Sequence, residues 1–280
     1  KGCTNLASIN IPNLITSINS NTFENCISLK SVLLHNNITS IGVSAFKGCT
    51  SLESINLPSS INNIGDEAFK GCTNLASINI PNSITSINSN TFENCQSLKS
   101  VLLHTNIDTS AFEGCSYLQS VTLSTNLIAI GSSAFKGCAS LESISIPNSV
   151  THIDTSAFEG CSYLQSVRLS NGLIAIGSSA FKGCGSLERI VIPLSVQYID
   201  DEAFKNCSSL TSVTVNREIS NTTNLGENAF DGCHTNLQII VPTNRIAEYK
   251  NKEYWSSYRN KIIPSEDYTE YEIDCEGSLN

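Results

Sequence analysis

Cysteine recurs in this chain at nearly constant intervals. Eleven of its twelve cysteines are Cys3, Cys26, Cys49, Cys72, Cys95, Cys115, Cys138, Cys161, Cys184, Cys207 and Cys233, and the gaps between them are 23 residues except for one of 20 and one of 26. All ten phenylalanines, from Phe23 to Phe230, lie three residues before one of these cysteines. A fixed period of this size is the mark of a stacked-repeat architecture. It constrains the fold more than any other feature of the chain.

The unit reads C-x-x-L-x-x-[IV]-x-[LI]-x-x-x-[IV]-x-x-I-x-x-x-[AT]-F-x-[GN]-C. In the unit that opens at Cys26, the Val32-x-Leu34 step has the period of two of a short strand. Pro12, Pro58, Pro81, Pro147 and Pro193 follow that strand and end it. The Ile38-x-x-Ile41 segment is expected to turn the chain. The segment "SAFKG" is expected to form one turn of helix or 3-10 helix on the far side. One unit cannot bury its own apolar face, whereas stacked units share a continuous core. The expected fold is an α/β-type solenoid of about eleven coils, with a parallel sheet on one face and short helical or 3-10 turns on the other.

The strand segment resembles the leucine-rich repeat, L-x-x-L-x-L. More narrowly, "IPNSVTHIDTSAFEGCSYLQSV" resembles the BspA-type leucine-rich repeats of bacterial and protozoan surface proteins. The resemblance spans residues 1–241. The segment "VPTNRIAEYKNKEYWSSYRNKI" is similar to those that close such arrays. The expected organisation is a repeat array over 1–241, a helical cap over 242–264 and an acidic tail or linker over 265–280. The resemblance implies a non-enzymatic surface protein that adheres to host or neighbouring-cell components, extracellular-matrix proteins among them. The alternative is a scaffold or receptor-like array, away from the cell surface, that binds one cognate protein.

Larger duplications overlie the repeat. Residues 1–37 and 70–106 differ only at Leu14/Ser83, Ile27/Gln96 and Asn36/Thr105. Residues 107–142 and 153–188 differ only at Thr122/Arg168, Thr125/Asn171, Asn126/Gly172 and Ala139/Gly185. Such copying fits a binding array better than an enzyme, whose site residues should be unique.

Three roles are open to the cysteines. Adjacent coils bring equivalent positions within disulfide range, but side chains in a ladder point the same way, and a bridge would pair coils two by two. Zinc needs four converging ligands, commonly from C-x-x-C pairs, and no such pair occurs. The favoured reading is a ladder of buried free thiols behaving as small hydrophobes. Cys275 stands outside the repeat and is either free or paired beyond it.

The net charge of −9 excludes nucleic acid as a natural partner, because phosphate binding needs a basic footprint. No run approaches the ~18 apolar residues of a membrane span. No signal peptide is visible, but the chain opens inside a repeat and methionine is absent, which reads as an excised piece. Catalysis finds little support. His35 and His104 occupy one repeat phase three coils apart, roughly 15 Å by strand spacing. Neither a nucleophile elbow, a P-loop nor H-E-x-x-H is present. No metal and no cofactor is expected. Asp66, Asp200 and Asp201 are expected at helix N-termini ahead of "EAF".

The strand face is the better candidate for function. One outward ladder is nearly constant: Ser8, Ser31, Ser54, Ser77, Ser100, Ser120, Ser143, Ser166, Arg189 and Ser212. The next varies, with Asn10, Leu33, Asn56, Asn79, Leu102, Thr122, Ser145, Arg168, Val191 and Thr214. Protein recognition is therefore expected at Leu33, Leu102, Arg168, Arg189 and Val191. Of the irregular units, the short one deletes the counterpart of Ile38, and the long one adds "NREISNTTNLGEN", read as an adjustment before the cap. In the cap, Thr243 is expected to N-cap a helix carrying Ile246 and Tyr249, with Trp255 in the cap core. Sequons at Asn37, Asn206 and Asn221 would matter only in a eukaryotic secretory pathway.

Overall fold

The computed structural model describes residues 1–216 and 223–265. The chain forms a parallel β-solenoid of about eleven coils. Each coil contributes a short strand to the predicted face. In order these include Ser31–Leu33, Ser100–Leu103, Ser120–Leu123, Ser143–Ser145, Ser166–Arg168, Arg189–Ile192, Ser212–Val215 and Gln238–Val241. The register follows the repeat: Ser8 pairs with Ser31, Ser120 with Ser100, and Arg189 with Ser212. Serine faces outward at these positions because the intervening residue, such as Val32, Val101 or Ile144, is the one driven inward.

Along the strand face the hydrogen-bonded ladder is broken into four runs. One break separates Ser166–Arg168 from Arg189–Ile192, which belong to different sheets.

A second parallel sheet replaces the expected chain-turning segment. Ser40–Ile41 pairs with Ser17–Ile18 and Asn63–Ile64, and a seven-stranded run continues from Ser86–Ile87 to Asn224–Leu225. Each strand is two residues long, with its second residue buried. The 20-residue unit keeps its place in this sheet, with Asn106 opposite Ser86 and Ile107 opposite both Ile87 and Ile130. The deletion is absorbed in the connection before it, where Thr105 is buried.

The far side is built of turns rather than helix. In the coil containing Phe46, the N–H groups of Ala45, Lys47 and Cys49 donate three residues back, to Gly42, Ser44 and Phe46. These are single turns of 3-10 type, but they do not propagate. Ser44 and Gly48 both have positive φ, at 54° and 71°, and a left-handed residue interrupts a right-handed helix. The same two phases are left-handed in coil after coil, for example at Ser133 and Gly137. Other backbone groups pair between coils instead: Phe46 N–H donates to Ala68 O and Phe69 N–H to Thr91 O. Asp66, Asp200 and Asp201 accordingly start no helix. Asp201 instead accepts the Glu227 N–H at 2.7 Å.

The core is a column. Consecutive phenylalanine rings stack from Phe23 to Phe230 with centroids 5.2–5.5 Å apart. Trp255 then meets Phe230 at 6.2 Å and Tyr249 edge-on at 5.0 Å, so the lone tryptophan is buried in the closing segment. Its indole N–H donates to Thr223 O at 2.8 Å, at the edge of the inserted segment. The closing helix Ile246–Asn251 buries Tyr249 and half-buries Ile246. Thr243 does not cap it. Its hydroxyl donates to Ser265 O at 2.6 Å, because Thr243 opens a separate 3-10 turn, Thr243–Arg245, before the helix.

Candidate binding face and thiol ladder

The thiols occupy one line inside the coil stack. Cys26 to Cys207 are buried, Cys233 is half-buried and Cys3 is exposed, all of them free. Each thiol from Cys49 onward donates to the phenylalanine carbonyl of the preceding coil. Cys72 reaches Phe46 O at 3.2 Å and Cys138 reaches Phe112 O at 3.3 Å. That carbonyl already accepts the N–H of its own coil's cysteine, as Phe46 O does from Cys49. The thiol therefore fills the second lone pair of a buried carbonyl, a role beyond that of a small hydrophobe. Burial pushes Cys49, Cys115 and Cys161 up to about 12, away from the reactive thiolate. Among the described residues, no three His, Cys, Asp or Glu side chains are grouped to hold a metal ion.

The far-side turns carry a charge ladder. Glu202 accepts from Lys182 and Lys205, each at 2.6 Å, and these bonds hold its carboxyl down at about 2. Glu67 is likewise lowered by its bond from Lys47, with Lys70 on its other side.

On the strand face, Leu33, Leu102 and Val191 are 64%, 50% and 53% exposed. Arg168 and Arg189 are also exposed. The five do not form one patch. Leu33 lies one coil in from the first strand, opposite Asn10. Leu102 sits three coils further on, opposite Thr122, in a shallow depression of about 500 Å³ shared with Ser77, Asn79 and Ser100. Arg168, Arg189 and Val191 come together at the break in the sheet and line a groove of about 610 Å³ with Asn171, Leu194 and Asn216. Sequence reasoning missed Leu194, which is 55% exposed beyond the strand end. Its signal was an apolar residue directly after Pro193, where Pro58, Pro81 and Pro147 are followed by Ser or Asn.

Asn37 and Asn206 are exposed, but Asn37 donates to Asn13 O at 3.2 Å and Asn206 holds a left-handed turn at φ 62°. Asn221, most of the inserted segment and Cys275 lie outside the described residues. No helix among the described residues is long and apolar enough to cross a membrane.

Comparison with known proteins places this geometry in context. A family model described as "BspA type Leucine rich repeat region (6 copies)" matches residues 1–109, 103–211 and 174–275. Among solved structures, a leucine-rich repeat protein from Bacteroides ovatus is 30% identical, covering 95% of this chain and 79% of that one, with a TM-score of 0.58. The pneumococcal vaccine antigen PcpA shares the fold at 17% identity, over 93% of this chain and 79% of that one, with a TM-score of 0.53. A leucine-rich repeat protein from Eubacterium ventriosum does so at 21% identity, over 84% and 66%, also with a TM-score of 0.53. No curated protein matched. Solenoids of this family are typically non-catalytic and generally bind proteins. The cysteine period, the coil geometry and the family match agree, and the chain belongs to the BspA-type leucine-rich repeat family.

Proposed function

We propose that this chain is a non-enzymatic, surface-displayed binding array that adheres to host or extracellular-matrix proteins through its strand face. The array over 1–241 is the binding unit, the segment 242–264 closes its core, and 265–280 links or trails it. One observation carries this reading. The near-identical copies 107–142 and 153–188 differ at four positions; the one on the strand itself, Thr122/Arg168, points outward, and every buried position is the same. Surface variation over a constant core is what a recognition surface requires. The contacts would be broad and shallow, with exposed side chains such as Leu33, Leu102 and Val191 as anchors, and display in many copies would raise affinity.

The test is binding of the full chain to a panel of immobilised matrix proteins, repeated with the strand-face variant L33D/L102D. Binding that the variant lowers at unchanged melting temperature supports the reading. Binding that is absent, or indifferent to the face, overturns it. Recovery of the native protein from the cytoplasmic rather than the surface fraction of its cells would favour the scaffold alternative.

A further inference from the structure

The groove at the sheet break has a charge character unlike the rest of the molecule. The chain carries −9 overall, yet among the described residues the two arginines here have no carboxylate within ion-pair reach and no carboxylate lines the groove. Five far-side lysines, by contrast, are engaged: Lys47, Lys136 and Lys182 pair with a glutamate of the next coil, Lys205 with Glu202 of its own turn, and Lys70 with one of each. Two exposed guanidiniums beside half-exposed Val191 and Leu194 make a mixed cationic and apolar strip.

We propose that this groove takes an extended acidic segment of a partner protein, two carboxylates at alternate positions meeting Arg168 and Arg189, with Val191 and Leu194 as apolar walls beside it. The proposal rests on the strand-face reading above and names the chemistry of its partner. Repeat phase sets Arg168 beside Val191, two residues along the strand from Arg189. The two arginines are thus diagonal neighbours on adjacent strands, about 8 Å apart by strand spacing and a two-residue rise. Alternate side chains of an extended peptide share one face and lie about 6.6–7 Å apart, so an acid-x-acid step spans the diagonal. Guanidinium binds carboxylate in a planar, two-pronged manner that lysine does not reproduce. Val191 lies beside Arg168 and Leu194 beyond the strand end, so both line the groove next to the bound segment. Two cations are too few for a polyanionic glycan or nucleic acid, whose binding draws on a long basic track.

The probe is a fluorescein-labelled peptide, Gly-Ser-Glu-Ser-Glu-Ser-Leu-Ser-Gly, titrated with the full chain and read by fluorescence anisotropy in low salt. R168Q and R189Q are each expected to weaken binding about fivefold, the upper end for an exposed ion pair. A peptide with both Glu replaced by Gln should lose binding, and R259Q, on the closing segment, should change nothing. Melting temperatures of the three arginine variants should match the parent. Equal binding by the Gln peptide, indifference to R168Q and R189Q, or no binding at all would overturn the proposal. Tighter binding of a heparin fragment through the same two arginines would make the occupant a polyanion and overturn it too. Binding that appears only in E270Q/E272Q would make the chain's own acidic segment the occupant, with the same consequence. If matrix binding is lost in L33D/L102D but survives R168Q/R189Q, the groove proposal fails and the adhesive reading stands. If the probe binds as expected but no matrix protein does, the reverse holds.

Discussion

The phenylalanine column gives the sharpest test of what holds the array together. Phe135 is fully buried and its ring stacks on Phe112 at 5.5 Å and on Phe158 at 5.4 Å. Phe135→Ala removes apolar surface, leaves a cavity between two rings that cannot both move in, and ends two stacking contacts. The transfer and cavity terms together cost about 3–5 kcal/mol. Each ring pair adds about 0.5–1.5 kcal/mol beyond area, part of which the first figure already contains, so about 4 kcal/mol is a fair centre. Unfolding entropy of about 2.1 cal/mol/K per residue over 280 residues makes each kcal/mol worth roughly 1.7 °C. The expected fall in Tm is therefore about 7 °C by circular dichroism. Ser132→Ala is the matched control in the same coil. Ser132 is half-buried and its carbonyl, not its hydroxyl, takes the inter-coil bond from Ser110 N–H. Its shift should stay within about 1 °C, as for surface substitutions generally. Equal shifts for the two variants would refute the column as the source of stability.

Four further outcomes follow from the geometry. Alkylation mapped by mass spectrometry should label Cys3 in the native protein and spare Cys72, Cys138 and Cys184 until it unfolds. Because burial raises Cys49, Cys115 and Cys161 from about 9 in the unfolded chain to about 12, their contribution is intact below pH 9 and is lost as pH climbs toward 12, so alkaline melts should show falling Tm. Glu202 works in the opposite direction: its carboxyl is depressed to about 2, so the Lys182–Glu202–Lys205 contribution is full above pH ~4.5 and disappears as pH falls toward 2. Removing this pair with E202Q should flatten the acid limb of a Tm–pH profile. Gly137→Asn should be tolerated within about 1 kcal/mol, because Asn accepts the left-handed turn. The double variant G137N/G160N should cost clearly more than its two halves in a double-mutant cycle. A Cβ at Gly48, Gly114 or Gly232 would strike the side chain of Asn25, Asn94 or Asn206 one coil before, and each Asn of this phase is followed by Gly in the next coil.

The stacking order, the number of coils, the buried phenylalanine and cysteine phases and the outward serine ladder were all legible in the period. A strict repeat dictates which residues become neighbours whatever the detailed path of the coil. The path itself was not legible. Ile38-x-x-Ile41 gives a strand only two residues long, too short for alternation to register, and it becomes a strand because neighbouring coils offer backbone partners. "SAFKG" forms the single 3-10-type turn expected of it, but the amides of Ser44, Phe46 and Gly48 find acceptors one coil away and Ser44 goes left-handed, so the turn does not grow into a helix. The second bond to each phenylalanine carbonyl likewise exists only between coils. The same holds for function: the sequence singled out Arg168, Arg189 and Val191 as unusual, while their union in a groove depends on a sheet that breaks between the strands carrying them. Side-chain phase is a property of the chain, but hydrogen-bond partnership and surface concavity belong to the stack, because each requires atoms from the next coil.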